Sequence, residues 1–123
     1  MDFERECQQL FDHYLSSYRA GDAVGCASVF SADAELYSPY GPTAIGCDAI
    51  ASVHREWLEE GGEDKQLEVK SAGANGTLGW CVVRFSEGTT GDGYSVNVLA
   101  REPSGRWLIT HCSLNEAQEA QAP

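Results

Sequence analysis

Basic residues are scarce in this sequence. Lys and Arg together number 8 against 19 Asp and Glu, so the formal net charge is −11 at pH 7. A protein that binds a phosphate backbone needs a concentrated basic surface, so this composition argues against nucleic acid as a partner. We interpret the acidity as a source of solubility.

Long apolar runs are also absent, and none approaches the length of a membrane span. Residues 1–6 have neither the basic start nor the apolar core of a signal peptide. These absences predict a cytoplasmic protein that does not contact a membrane. A chain of 123 residues without internal repeats predicts a single domain over residues 1–123. We expect residues 116–123 to form a flexible tail.

Motifs for metal, nucleotide or nucleophile chemistry are lacking as well. The five cysteines never form a Cys-x-x-Cys pair, which favours free, mostly buried thiols over a metal site or thiol catalysis. His13, His54 and His111 do not have the spacing of metal ligands. The glycine-rich run 88–93 predicts a hairpin connection, because no Lys-Ser/Thr pair and helix follow it. The sequence therefore predicts neither a metal nor a cofactor.

The first half of the chain has the apolar spacing of helices. Between residues 2 and 20 the apolar positions follow one helical stripe, formed by Phe3, Cys7, Leu10, Phe11, Tyr14, Leu15 and Tyr18. A short second helix is predicted from Ala23 to about Phe30, and a third from Gly46 to Glu60. Between them we expect a brief strand, Ala34–Ser38, that ends in a turn at Pro39–Pro42.

The second half alternates as strands do, which predicts strands over Gln66–Ala72, Leu78–Glu87, Tyr94–Glu102 and Arg106–Asn115. Three helices followed by these strands indicate an α+β domain, with the helices packed on one face of a strongly bent, mostly antiparallel sheet. Such a sheet wrapped around helices leaves a hollow where a small molecule can bind.

Four segments, in this order, resemble those of the NTF2-like superfamily. They are Tyr14–Asp22, Val29–Pro39, Gly46–Ile50 and Gly105–Trp107. The resemblance is closest to the ketosteroid isomerase and SnoaL-like branch, extends from about Phe11 to Asn115, and implies an NTF2-like (cystatin-like) cone. It leaves activity open, because this fold hosts isomerases, cyclases, dehydratases, hydrolases and binding proteins.

The resemblance also implies roles for individual residues. Ketosteroid isomerases have a tyrosine on the first helix that donates to the developing oxyanion, and Tyr14 matches it. Their second donor, a protonated aspartic acid, corresponds to Asn97, whose amide can also donate. Their supporting tyrosine on the third helix corresponds to His54. We therefore expect Tyr14, His54 and Asn97 to form a neutral donor cluster in the hollow. The isomerase's aspartate base falls on Ser38, which cannot take a proton from carbon unaided, so steroid isomerisation is not expected.

Further residues are expected to line the same pocket, namely Tyr18, Ser38, Tyr40, Trp57, Trp80, Val82, Arg84, Cys112 and Leu114. Arg84 has two interpretations: it either faces a ligand carboxylate or carbonyl, as an arginine does in the association domain of calmodulin-dependent kinase, or pairs with an acid on the solvent side. The resemblance places Thr110, Cys112 and Leu114 on the pocket side, so Trp107, Ile109 and His111, which have the opposite parity, are expected on the outer sheet face. The resemblance implies that a homodimer forms there.

Three functions remain open at this stage. The preferred one is binding of a small, mostly hydrophobic molecule that carries a carbonyl, phenol or carboxylate. An alternative is an isomerase, lyase or cyclase in which Tyr14 and Asn97 stabilise an oxyanion and His54 acts as acid–base. A second alternative is an association (dimerisation) module. Tyr14, Tyr18 and His54 also have the ordinary interpretation of packed core residues, and Asn97 that of an amide bonded within the fold.

Overall fold

The computed structural model describes residues 2–87 and 90–117, and in these residues the chain forms three helices and six strands. The helices are α1 (Phe3–Arg19), α2 (Ala23–Ala27) and α3 (Cys47–Leu58). The strands are β1 (Phe30–Tyr37), β2 (Ala44–Ile45), β3 (Lys65–Asn75), β4 (Leu78–Glu87), β5 (Thr90–Arg101) and β6 (Trp107–Glu116). The predicted α+β class is confirmed.

The first two helices begin at aspartate caps. The Asp2 carboxylate accepts from the Glu4 backbone N–H at 3.1 Å, and the Asp22 carboxylate accepts from the Gly25 N–H at 2.9 Å. Helix α2 is shorter than predicted, because the Val29 carbonyl already accepts from the Ile109 N–H at 2.9 Å. That bond draws the chain into the sheet, so β1 begins at residue 30 rather than at residue 34.

The strands form one sheet in the order β2-β1-β6-β5-β4-β3. Strands β1 and β6 run parallel, and the other neighbours are antiparallel. The two-residue strand β2 was not predicted; it folds back on β1 after the turn, where Ala44 pairs with Leu36. The helices pack on one face of this bent sheet, which we call the inner face.

A β-bulge in β6 corrects the predicted orientation of two residues. Leu99 of β5 pairs with Ile109 but Val98 pairs with His111, so Thr110 is an extra residue. A one-residue insertion reverses the faces that later side chains take. Trp107 and Ile109 are therefore buried on the inner face, and the prediction that they lie outside is wrong. His111 is exposed on the outer face, as predicted.

The core lies between the helices and the inner face, and includes Phe11, Phe30, Leu36, Ile50, Val83, Leu99 and Ile109. All five cysteines are free thiols, four of them buried, as expected. The predicted tail begins inside β6, and its residues 118–123 lie outside the described residues, as do residues 88–89 of the predicted hairpin connection. In the described part of the chain, no helix is both long and apolar enough to cross a membrane.

Candidate functional site

Two adjoining hollows lie between the helices and the inner face. The inner chamber has a volume of about 40 Å³ and the outer vestibule one of about 450 Å³. Trp57, Lys65, Phe85 and Leu114 line both. The inner chamber is further lined by Phe11, Tyr14, Phe30, Leu36, His54, Leu67, Ser95, Asn97, Ile109 and Cys112. The outer vestibule is further lined by Tyr18, Tyr40, Glu56, Glu60, Glu87 and Glu116.

A contact between Phe3 of α1 and Gly79 of β4 shows which face of β4 is turned toward the helices. A Cβ atom added at Gly79 would lie 2.5 Å from Cζ of Phe3, so β4 turns its glycine toward α1. Alternation along the strand then directs Cys81 and Phe85 inward. Cys81 pairs with Asn97 on β5, and Asn97 faces inward with it.

The same alternation places Trp80, Val82 and Arg84 on the outer face, so the prediction that they line the pocket is wrong. Both faces of β4 are apolar in sequence, which left the choice of face undetermined. The Arg84 guanidinium lies 4.9 Å from the centre of the Tyr94 ring, and its Nη2 is 3.1 Å from Oδ2 of Asp92. Arg84 is thus held on the solvent side, away from any ligand in the chamber.

The other predicted pocket residues divide between the two hollows and the turn beside them. Cys112 lines the inner chamber, Tyr18 and Tyr40 line the vestibule, and Trp57 and Leu114 line both. Ser38 lines neither of the two hollows, and instead borders a small neighbouring cavity of about 20 Å³ together with Tyr40 and Trp57. It lies in the turn after β1, where its Oγ accepts from the Tyr40 backbone N–H at 2.9 Å.

Tyr14 and His54 are brought together as predicted, but their hydrogens have a definite direction. Nδ1 of His54 lies 2.8 Å from the Ile50 carbonyl, which can only accept, so Nδ1 carries the hydrogen. Nε2 is therefore the acceptor, and the Tyr14 hydroxyl, 2.8 Å away, donates to it. Burial lowers the pKa of His54 to about 4 and raises that of Tyr14 well above its ordinary value, so both are neutral at pH 7.

Asn97 is 0 % exposed and has a similarly fixed direction. Its Nδ2 donates to the Cys81 carbonyl at 3.2 Å and to Ser95 Oγ at 3.0 Å. Since the Cys81 carbonyl only accepts, the amide cannot be turned over without losing that bond. Its Oδ1 is buried and bonded to no protein group. At this position in the chamber lining, the group without a hydrogen-bond partner is thus an acceptor, Asn97 Oδ1, where the resemblance implied a donor.

A buried lysine at the junction of the two hollows was missed by the sequence analysis. Lys65 is 7 % exposed, and its Nζ lies 2.8 Å from Oε1 of Glu87, an oxygen that also accepts from the Tyr18 hydroxyl at 2.8 Å. The ammonium lies 4.5 Å from the Tyr18 ring centre and 4.9 Å from that of Phe85. The alternation of side chains along a strand could have revealed its burial, because it places Lys65 on the same face as Leu67 and Val69.

The chemistry that this arrangement allows is limited. Among the described residues, no Asp or Glu lines the inner chamber, and no group of three or more His, Cys, Asp and Glu could hold a metal ion. The chamber's histidine is a weak base whose free lone pair is already bonded to Tyr14. What remains is an apolar enclosure with a few directed polar groups, an arrangement typical of a binding site.

No family model and no curated protein matches the chain. Among solved structures it is similar to a domain with a cystatin-like fold from Nostoc punctiforme PCC 73102, at 20% identity and a TM-score of 0.79 over 94% of this chain and 77% of that one. It is also similar to an NTF2-like protein from Pseudomonas putida KT2440, at 15% identity and a TM-score of 0.76 over 97% and 96%. A ketosteroid isomerase-like protein from Erwinia carotovora atroseptica SCRI1043 aligns at 17% identity and a TM-score of 0.75 over 90% and 93%. The chain therefore has the NTF2-like (cystatin-like) fold, as its sequence predicts.

Proposed function

We propose that this protein binds a small, mostly apolar molecule in the inner chamber and outer vestibule, and does not transform it. The observation that carries the proposal is the buried Oδ1 of Asn97, an acceptor without a partner in the protein, on a residue that lines a mostly apolar chamber. A buried acceptor without a partner costs about 1–3 kcal/mol. A ligand that supplied the missing hydrogen bond would recover that cost while burying its own apolar surface.

Catalysis by an oxyanion site is less well supported. The hydrogens of Tyr14 and Asn97 that would stabilise an oxyanion are engaged within the protein. His54, as the acid–base group, would need a pKa near the working pH, and burial lowers its pKa to about 4.

Blocking the junction of the two hollows tests the proposal. Small alcohols, phenols, ketones and carboxylates would be screened by thermal shift, where a ligand at a hundred times its dissociation constant adds about 2.7 kcal/mol of stability and raises the melting temperature by several degrees. Leu114→Trp fills the junction and should abolish the shift. Leu78→Trp is the matched control, because Leu78 is an exposed leucine outside both hollows. No shift from any class, or an unchanged shift in Leu114→Trp, would refute the proposal.

We also propose that two copies associate through the outer face of the sheet. Its centre carries four exposed apolar side chains on β4 and β5, with Trp80 at 47%, Val96 at 46%, Val98 at 40% and Tyr94 at 39% exposure. Adjacent apolar side chains of this size on a sheet face are typical of an interaction surface. Sedimentation should give a dimer for the wild type and a monomer for Val96→Glu. Val24→Glu, at an exposed position of α2, should remain dimeric, and a monomeric wild type would refute this proposal.

A further inference from the structure

The polarity of the inner chamber can be deduced hydrogen by hydrogen. At Asn97 both amide hydrogens are used, one by the Cys81 carbonyl and one by Ser95 Oγ, and Oδ1 has no partner within the protein. Ser95 Oγ accepts from the amide through a lone pair, so its own hydrogen is available to a ligand. The side chain of Ser95 also lines the chamber. A bare acceptor and a hydroxyl with a free hydrogen therefore lie next to each other.

The hydrogen bonds of Tyr14 also run away from the chamber. Tyr14 donates to Nε2 of His54, whose Nδ1–H donates to the Ile50 carbonyl. Both hydrogen bonds therefore point from Tyr14 toward the backbone of α3. Hydrogen bonds that share one direction polarise each other, which makes Oη of Tyr14 a better acceptor and leaves it no hydrogen to donate. A carbonyl oxygen in the chamber would find neither of the two donors that the family resemblance implies.

We infer that the ligand group recognised in the inner chamber is a hydroxyl that donates its hydrogen to Oδ1 of Asn97, so the ligand is a neutral phenol or alcohol. This inference rests on the proposed binding function and specifies its ligand class. A hydroxyl also accepts one hydrogen bond, which Ser95 Oγ–H can supply. A ketone or an ether leaves the Asn97 acceptor buried and unserved, and that desolvation cost discriminates against both.

Size and charge narrow the class further. A cavity needs about 10–15 Å³ to hold one water molecule, so a chamber of about 40 Å³ admits the hydroxyl and a few adjoining atoms. The rest of the ligand would lie in the vestibule, against Trp57 and Phe85. Among the described residues, the vestibule is lined by four glutamates, Glu56, Glu60, Glu87 and Glu116, against one cation, Lys65, so its net charge opposes an anionic tail.

Four para-substituted toluenes, of which p-xylene matches the phenol most closely in size, test the inference by titration calorimetry at pH 7.5. They are 4-methylphenol, its methyl ether 4-methylanisole, 4-methylacetophenone and p-xylene. We expect the phenol to bind at least tenfold more tightly than the other three, a difference of about 1.4 kcal/mol. In Asn97→Leu the preference should fall to about threefold or less while p-xylene still binds, and in Leu78→Trp it should be unchanged. Asn97→Leu also loses the hydrogen bond to the Cys81 carbonyl, which can prevent folding. In that case the comparison of the four ligands on the wild-type protein still decides the question.

The outcomes separate this inference from the proposed function. Equal affinity for the four ligands, or tightest binding of the ketone, would overturn the hydroxyl assignment and leave small-molecule binding intact. A phenol preference that persists in a folded Asn97→Leu protein would also overturn it. If none of the four binds, the hydroxyl assignment fails, and the wider thermal-shift screen decides the proposed function separately.

Discussion

Lowering the pH should destabilise the fold through His54. The residue is 1 % exposed, and its imidazole is in contact with the Tyr14 hydroxyl and the Ile50 carbonyl. Burial opposes the charged form, and the nearby Lys65 ammonium opposes it further, so that its pKa is lowered to about 4. The Tyr18 ring, whose centre lies 6.3 Å from that of the imidazole, is neutral over the same range because burial raises its pKa.

The sign and size of the effect follow from proton linkage. In the unfolded chain the histidine takes up a proton as the pH falls below its ordinary pKa of 6.5, whereas in the folded protein it does so only near 4. Its contribution is therefore complete above pH 6.5 and is lost as the pH falls to about 4. At about 1.36 kcal/mol for each pKa unit, the difference between 6.5 and about 4 corresponds to about 3 kcal/mol.

Denaturant unfolding of the wild type and His54→Gln at several pH values from 7.5 to 4 measures this contribution. The carboxylates titrate in both proteins, so the difference in their free energies of unfolding isolates His54. We expect that difference to shrink by about 3 kcal/mol across the range. Parallel curves for the wild type and His54→Gln, or an imidazole NMR titration with a midpoint near 6.5, would refute the reasoning.

Three other predictions concern packing, an ion pair and ligand charge. Gly93→Ala should destabilise the protein by about 1–3 kcal/mol or more, because the added Cβ would lie 2.0 Å from the Asn115 carbonyl; Gly41→Ala, with no atom within 4 Å, is the control. Lys65→Met should cost about 1–2 kcal/mol in denaturant unfolding, since its partner is only partly buried, whereas Lys70→Met, which breaks an exposed pair, should cost under about 1 kcal/mol. In calorimetry, 4-methylbenzoate should bind more weakly than 4-methylphenol, by a margin that narrows as salt screens the vestibule.

Each of these predictions has a contrary result. Equal stability of the two alanine variants would mean that the sheet yields at Gly93 without cost. Equal losses in the two methionine variants would mean that burial adds nothing to the Lys65 pair. Tighter binding of the benzoate would contradict the repulsion that we attribute to the vestibule glutamates.

The fold was predictable from sequence because its signals are local. Helical spacing, the aspartate caps and the turn at Gly21 specify α1 and α2, and the strands of the second half follow their alternation closely. The short β2 and the early start of β1 were not predictable, because both depend on pairing with strands distant in sequence. A strand as short as β2, with two residues, shows no alternation in sequence that could predict it.

Whether a strand side chain points to the inner or the outer face of the sheet was predictable only where one face of the strand is polar. In β4 both faces are apolar, and the contact of Gly79 with Phe3, which decides between them, joins residues far apart in the chain. In β6 the bulge at Thr110 reverses the alternation. Trp80, Val82, Arg84, Trp107 and Ile109 were misplaced for these two reasons, and Lys65 was overlooked because its strand begins with it.

The resemblance brought Tyr14, His54 and Asn97 to the same chamber but could not give the direction of their hydrogen bonds. That direction comes from two backbone carbonyls, of Ile50 and Cys81, which accept and cannot donate. They orient the imidazole and the amide, and through the imidazole the Tyr14 hydroxyl, so that donors implied by family positions become acceptors in this chain. The residue types at the matched positions are therefore not enough to predict which ligand group the chamber recognises. Whether a side chain there donates or accepts depends on nearby backbone carbonyls, which every sequence has.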